Sequence, residues 1–165
     1  MLESTIWARN ILLGDCVFAK FKLPEGWAIR PTLYPPDVEE YTEHRGLKWA
    51  ASGFIILDLY AGRDKPLRLE IKAKRSRRWL TRERAARSLG VSADSVREAV
   101  AGGHEAYYAV KESRRLLGGR RMEVKLVLYC HETQRTIRFT VEGAPEHVSS
   151  CLAEVLELLT SVTCH

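Results

Sequence analysis

Residues 81–96, TRERAARSLGVSADSV, decide how the second half of the chain is built, and their spacing satisfies two architectures. A helix-turn-helix wants a small residue, then Gly four positions on, then an aliphatic residue six further. Ala86, Gly90 and Val96 meet that spacing, with Leu89, Val91 and Ala99 at the accompanying apolar positions. Ser92 to Arg97 would then open a recognition helix able to reach base edges in the major groove. The same letters also describe a helix capped by Thr81 that ends at Gly90, with a second helix capped by Ser92 behind it. On that reading Ala85, Leu89, Val96 and Val100 share an inward side, and 81–101 is a crossover helix or helix pair laid on a sheet. The surroundings favour the crossover. Strands flank the unit closely, where a helix-turn-helix needs a third helix, and Glu83, Asp94 and Glu98 place acid where phosphates would come.

Outward from this stretch the pattern is mainly of strands. CVFAKFKLPEGWAIR (16–30) holds two alternating apolar runs turned by LPEG, which predicts a hairpin or a bent pair of strands. Three prolines in RPTLYPPDVEEYTEHRG forbid a central strand and leave at most a short helix at Asp37–His44. GFIILDLY (53–60) is nearly continuous in apolar residues and is expected to be central and covered on both faces. LRLEIKA (67–73), HEAYYAVKES (104–113), MEVKLVLYC (122–130) and TIRFTVEG (136–143) read as further strands, with LLGGRR and HETQR as turns. In the closing APEHVSSCLAEVLELLTSV, Val148, Leu152, Val155, Leu156 and Leu159 form a stripe at helical spacing behind Pro145. The expected architecture is one α+β domain over residues 1–165. It is a mostly antiparallel sheet of about six strands, with the long crossover helix or helix pair and a C-terminal helix packed on it.

Several of these segments resemble a known family. FKLPEGW (21–27) resembles an F-x-x-P-x-G-W entry shared by the PsbP and DcrB superfamily, a fold that also includes a eukaryotic Ran-binding import factor. GGHEAYY (102–108), LVLYCHETQRTIRFTVEG (126–143) and LTSVTC (159–164) extend the similarity over about residues 15–164. These motifs are structural and loose. The resemblance implies a compact binding or accessory module, usually not an enzyme, and a shared fold carries no chemistry by itself.

Composition bounds the function. The chain has 165 residues, 45% hydrophobic and 28% charged, the balance of a globular domain able to bury a core. No apolar run nears the roughly 18 residues of a membrane span, and the N-terminal residues make a poor signal peptide, so a cytoplasmic protein is expected. Arg outnumbers Lys 18 to 8, Glu outnumbers Asp 16 to 5, and Asn10 and Gln134 are the sole side-chain amides, a heat-adapted profile. The net charge of +5 permits an anionic partner, and a heat-adapted surface produces the same excess.

One run exceeds an ordinary solvated face. Lys72, Lys74, Arg75, Arg77, Arg78, Arg82, Arg84 and Arg87 set eight cations against the single acid Glu83, with Trp79 among them. Such a run can grip nucleic acid or an acidic protein surface, and it can also be the charged exit of an edge strand that discourages aggregation. The expected function is therefore a non-catalytic binding module for a protein or other anionic macromolecule. The alternative is a nucleic-acid binder using 72–87 and the helix-turn-helix-like 81–99.

Catalysis, cofactor and metal find little support. No C-x-x-C or H-x-x-x-H pair occurs, and Cys130 and His131 would point to opposite faces of one strand, unable to share an ion or a proton. Neither GG pair precedes a helix in a phosphate-cradling arrangement. A disulfide is a separate hypothesis. If the last residues fold back along the sheet, Cys130 and Cys164 come within bonding range, while Cys16 and Cys151 pair or stay buried.

Overall fold

The computed structural model describes residues 2–10, 14–31, 39–40, 47–50, 54–62, 65–114 and 119–164. Its strands are β1 (Leu2–Asn10), β2 (Gly14–Leu23), β3 (Trp27–Pro31), β4 (Glu39–Glu40), β5 (Leu47–Ala50), β6 (Phe54–Ala61) and β7 (Leu67–Arg75). Helix α1 (Arg82–Leu89) and a 3-10 turn at Ala93–Ser95 precede β8 (Arg97–Ala101), β9 (His104–Arg114), β10 (Arg120–Cys130) and β11 (Arg135–Gly143). Helices α2 (Pro145–Ser150) and α3 (Leu152–Thr160) close the chain. The main sheet is antiparallel, seven strands in the order β3-β6-β7-β11-β10-β9-β8, larger than the six expected. A smaller sheet, β2-β1-β5-β4, includes the parallel pair β1/β5.

The decisive stretch folds as neither a helix-turn-helix nor a long crossover. Thr81 caps α1, its hydroxyl accepting from the Arg84 N–H at 3.4 Å. Gly90 then turns left-handed at φ 70°, and the Val91 N–H reaches back to the Ala86 carbonyl, so the helix stops after eight residues. A second helix is ruled out by Gly102 and Gly103. Both have positive φ, 57° and 79°, and they form the two-residue turn that pairs β8 with β9. A glycine pair at such a turn imposes strand on both sides, and it overrides the helical spacing of Val96 and Val100.

Other expectations shift for equally local reasons. LPEG does turn the chain, with the Trp27 N–H bonded to the Pro24 carbonyl at 3.1 Å, but β2 and β3 belong to different sheets and do not form a hairpin. Strand β6 is second from an edge, with Leu57 and Leu59 buried on one face and the residues between them half-buried. The strand covered on both faces is β10, where Leu126 to Cys130 are all buried. Of the helix expected at Asp37–His44, only Glu39–Glu40 falls among the described residues, and it is strand. The first half of the LLGGRR turn, residues 116–118, lies outside them.

The C-terminal helix is broken in two. In a continuous helix the His147 carbonyl would accept from the Cys151 N–H. Here it accepts from the Ser150 hydroxyl at 2.8 Å and the Cys151 thiol at 3.1 Å, and the Cys151 N–H donates to Val148 instead. Short polar side chains have outcompeted the backbone.

Two apolar clusters hold the sheet. On one face Leu67, Leu69 and Ile71 of β7, Ile137, Phe139 and Val141 of β11, and Val124, Leu126 and Leu128 of β10 pack under Val148, Val155, Leu158, Leu159 and Val162. On the other, Ala85, Ala86 and Leu89 of α1 sit with Leu80 and Val96 on Ala109, Val127 and Tyr129. Each fully buried Leu, Ile or Phe contributes about 1.5–3 kcal/mol, so the first cluster dominates stability.

The C-terminal segment passes so close to the β8–β9 turn that a Cβ on Gly102 would stand 2.4 Å from the Val162 carbonyl oxygen, whereas one on Gly103 meets nothing within 4 Å. Gly102→Ala is therefore expected to destabilise by more than the strain of about 1 kcal/mol that Gly103→Ala introduces. Urea denaturation of both variants measures the difference. Equal losses would show that the close approach to Val162 is not maintained.

Candidate functional site

Helix α1 covers only the β9–β10 part of its face, and the neighbouring part over β7 and β11 stays open. Strand alternation puts Lys72 and Lys74 on that face, and the register sets Arg138 opposite Lys72 and Thr136 opposite Lys74. After β7 the chain crosses the end of the sheet. The Ser76 N–H bonds the Gln134 carbonyl at 2.8 Å, and the buried Leu80 anchors the return to α1. A groove of about 620 Å³ results between this connection, the helix and the sheet. Lys72, Lys74, Arg75, Arg78, Arg84 and Arg138 supply its cations and Ser76, Ser88 and Thr136 its neutral donors; among the described residues no carboxylate lines it.

The groove's charges are held in place unequally. Arg138 donates to the Ser88 carbonyl at 3.0 Å and tethers α1 to the sheet, and Arg84 donates to the Trp79 carbonyl at 2.9 Å. Glu70 draws Lys72 (2.7 Å) and, more loosely, Arg138 (3.9 Å) away from the opening. Lys74, Arg75 and Arg78 form no ion pair among the described residues. All three are exposed and line the groove. Trp79 stands beside them with 65% of its surface exposed, its ring stacked on His131 at 6.4 Å and tilted against Tyr129 at 5.6 Å. An indole held by ring contacts yet exposed on its outer face is a platform for a flat or apolar group.

The fold that carries this groove has structural relatives. No model of a known protein family and no curated protein matches the sequence. The solution structure of cyanobacterial PsbP from Synechocystis aligns with 89% of this chain and 86% of its own, at 13% identity and TM-score 0.52. The fold is PsbP-like. A crystal structure from Bacteroides thetaiotaomicron aligns with 90% of the chain at 13% identity and TM-score 0.51, and this chain spans less than half (45%) of that protein's length. At these identities the likeness concerns architecture alone.

On this PsbP-like scaffold the basic run divides. Lys72, Lys74, Arg75, Arg78, Arg84 and Trp79 converge on the groove, while Arg77 and Arg87 lie outside it. Arg82 has a structural role, donating to the Val96 carbonyl at 2.9 Å and to Glu98 at 2.7 Å, which clamps the 3-10 turn to α1. That bond to Glu98 raises the Arg82 guanidinium above its ordinary range. Glu83, the one acid in the run, is engaged at the helix start, where its own backbone N–H and the Thr81 hydroxyl hold its carboxyl below the usual range. Sequence reading missed Arg138, Ser88 and Thr136. The alternation in TIRFTVEG gives the face of two of them, but not that β11 lies against β7.

The paired cysteines are also brought together. Cys130 and Cys164 are buried neighbours, present as thiols and not joined in a disulfide. Burial foremost, and the adjacent Cys130, push the Cys164 thiol far above its ordinary range, so the bare thiol is unreactive near neutrality. Cys151 lies elsewhere, at the α2–α3 break, and the side chain of Cys16 falls outside the described residues.

If Arg82 is a clamp, Arg82→Ala is expected to speed amide hydrogen exchange across Ala93–Val96 while leaving exchange in β7 and β11 as in the wild type. Exchange read by mass spectrometry checks this. Unchanged rates at Ala93–Val96 would show that the turn holds without Arg82.

Proposed function

We propose that this protein is a binding module that acts without catalysis and takes an anionic segment of a partner macromolecule into the groove over β7 and β11. One observation carries the reading: six cations converge on a single concavity that no carboxylate lines among the described residues, and four of them (Lys74, Arg75, Arg78 and Arg84) form no ion pair there. At other points of this sheet cations pair with nearby acids, as Lys125–Glu123 and Arg120–Glu112 do. Leaving Lys74, Arg75 and Arg78 clustered raises the local positive potential and attracts a chain of negative charge. The cavity volume lies within the usual range for bound ligands, wide enough for a short extended segment.

Duplex DNA is not the partner this shape suits. Major-groove reading needs a projecting helix or ribbon, whereas α1 spends Ala85, Ala86 and Leu89 on the core and the would-be recognition helix is β8. The helix-turn-helix alternative fails on that ground. An acidic stretch of a protein partner is the first reading. Single-stranded nucleic acid is the second, favoured by Trp79, since a row of cations beside an exposed indole can hold phosphates and stack a base.

A Glu-rich peptide and an oligothymidylate, each fluorescently labelled, test the two readings by anisotropy. At least one is expected to bind and to weaken as salt rises. The triple reversal Lys74→Glu, Arg75→Glu, Arg78→Glu is expected to cost about tenfold or more, with Arg87→Glu as a near-neutral control. Loss of only the oligonucleotide's affinity in Trp79→Ala selects the second reading. Binding of neither probe at low salt, or equal effects of Arg87→Glu and the triple reversal, would remove the groove as the binding surface.

A further inference from the structure

The opposite face of the sheet holds a second group of chemically distinctive side chains, away from the groove. Strand β9 begins at His104, β10 ends at Cys130, and the segment after α3 brings in Cys164. The pairing of Leu128 with Ala106 leads, two residues on, to Cys130 beside His104 on the core face. All three are buried, at 5%, 0% and 1% exposure. One ligating atom from each lies within 4.8 Å of the others. His131 flanks them: its Nδ1 is 3.1 Å from the Nδ1 of His104, and the two rings meet edge to face at 4.8 Å.

We propose that His104, Cys130 and Cys164 form a zinc site that fastens the C-terminal segment to the ends of β9 and β10. Tetrahedral zinc with two sulfurs and one imidazole needs those donors roughly 3.5–3.8 Å apart, a small contraction from the arrangement present, and a water would complete the fourth position. The charge also balances. Two buried thiols give up their protons to solvent as two Zn–S bonds form, and the two thiolates neutralise the divalent ion, so no net charge is left in the interior. His131 stands where the outer partner of a ligating histidine belongs and fixes the ring of His104. A structural disulfide would use the same two sulfurs but would have no need of His104 beside them.

The sequence hides this site for two reasons. The donors come from three separate elements, with no local pair, and the strand rule stops short of the turn. Cys130 is the last residue of β10 and His131 opens the turn, so the alternation that would send them to opposite faces no longer applies. None of its ligands lines the groove, and the two sites touch through His131, whose ring also stacks on Trp79.

The test uses the full chain, expressed with zinc in the medium and purified without chelator, with metal content measured by plasma mass spectrometry. About one zinc per chain is expected for wild type and for Cys151→Ser, and none for Cys164→Ser or His104→Ala. Should those two variants fold poorly, Co²⁺ added to metal-free wild type is expected to give a sulfur-to-cobalt charge-transfer band, with Zn²⁺ displacing it. The proposal is overturned if reduced, folded wild type takes up neither ion, or if Co²⁺ binds without that band. It also fails if the purified chain is lighter by two hydrogens because Cys130 and Cys164 are bridged.

Discussion

Strands β7 and β11 are far apart in the chain and lie antiparallel, with Ile71 opposite Phe139 and Leu69 opposite Val141 on one face, and Lys72 opposite Arg138 and Lys74 opposite Thr136 on the other. This pairing joins the two halves of the main sheet, β3-β6-β7 and β11-β10-β9-β8. The apolar face makes it stable. Leu69, Ile71, Ile137, Phe139 and Val141 are essentially inaccessible to solvent under α2 and α3. The polar face adds little: an exposed pair such as Lys72–Glu70 is worth roughly 0–1 kcal/mol. The cations on that face are thus carried by the core behind them, available for something other than folding.

The groove exists because the second face is covered unevenly. Ala85 and Ala86 let α1 settle closely on β9 and β10, and Gly90 ends it before it can widen its cover. Over β7 and β11 the sheet stays open and cationic at the Lys74–Arg75 end. Towards the other end Arg68, Glu70, Glu123, Lys125, Arg138 and Glu142 mix both signs. That contrast within one face sets the groove apart from the general excess of Arg. Charge alone does not define the site; convergence does.

Some of this is legible in the sequence. Period-two alternation in LRLEIKA, MEVKLVLYC and TIRFTVEG locates β7, β10 and β11, and the family-like segments point to the PsbP-like fold that the structural likeness bears out. The basic run contains five of the groove's six cations, and Trp79. What stays hidden is non-local. The pairing that brings Arg138 to Lys72 cannot be read from either strand alone, nor can the return of Cys164 to Cys130 and His104. One local conflict is decisive: helical spacing across 81–101 competes with the Gly102–Gly103 turn, whose backbone demand is the stronger because both positions need positive φ.

The central claim is that the concavity over β7 and β11 is where this protein meets its partner. Titrating isotope-labelled protein with the anionic probe that binds, and tracking backbone and indole resonances, maps the contact directly. Perturbations centred on Lys74–Trp79, Ser88 and Thr136–Arg138 are what the structure calls for. Shifts confined to the cavity lined by Lys65, Arg68, Arg120 and Arg121 at the other end of the sheet would contradict it.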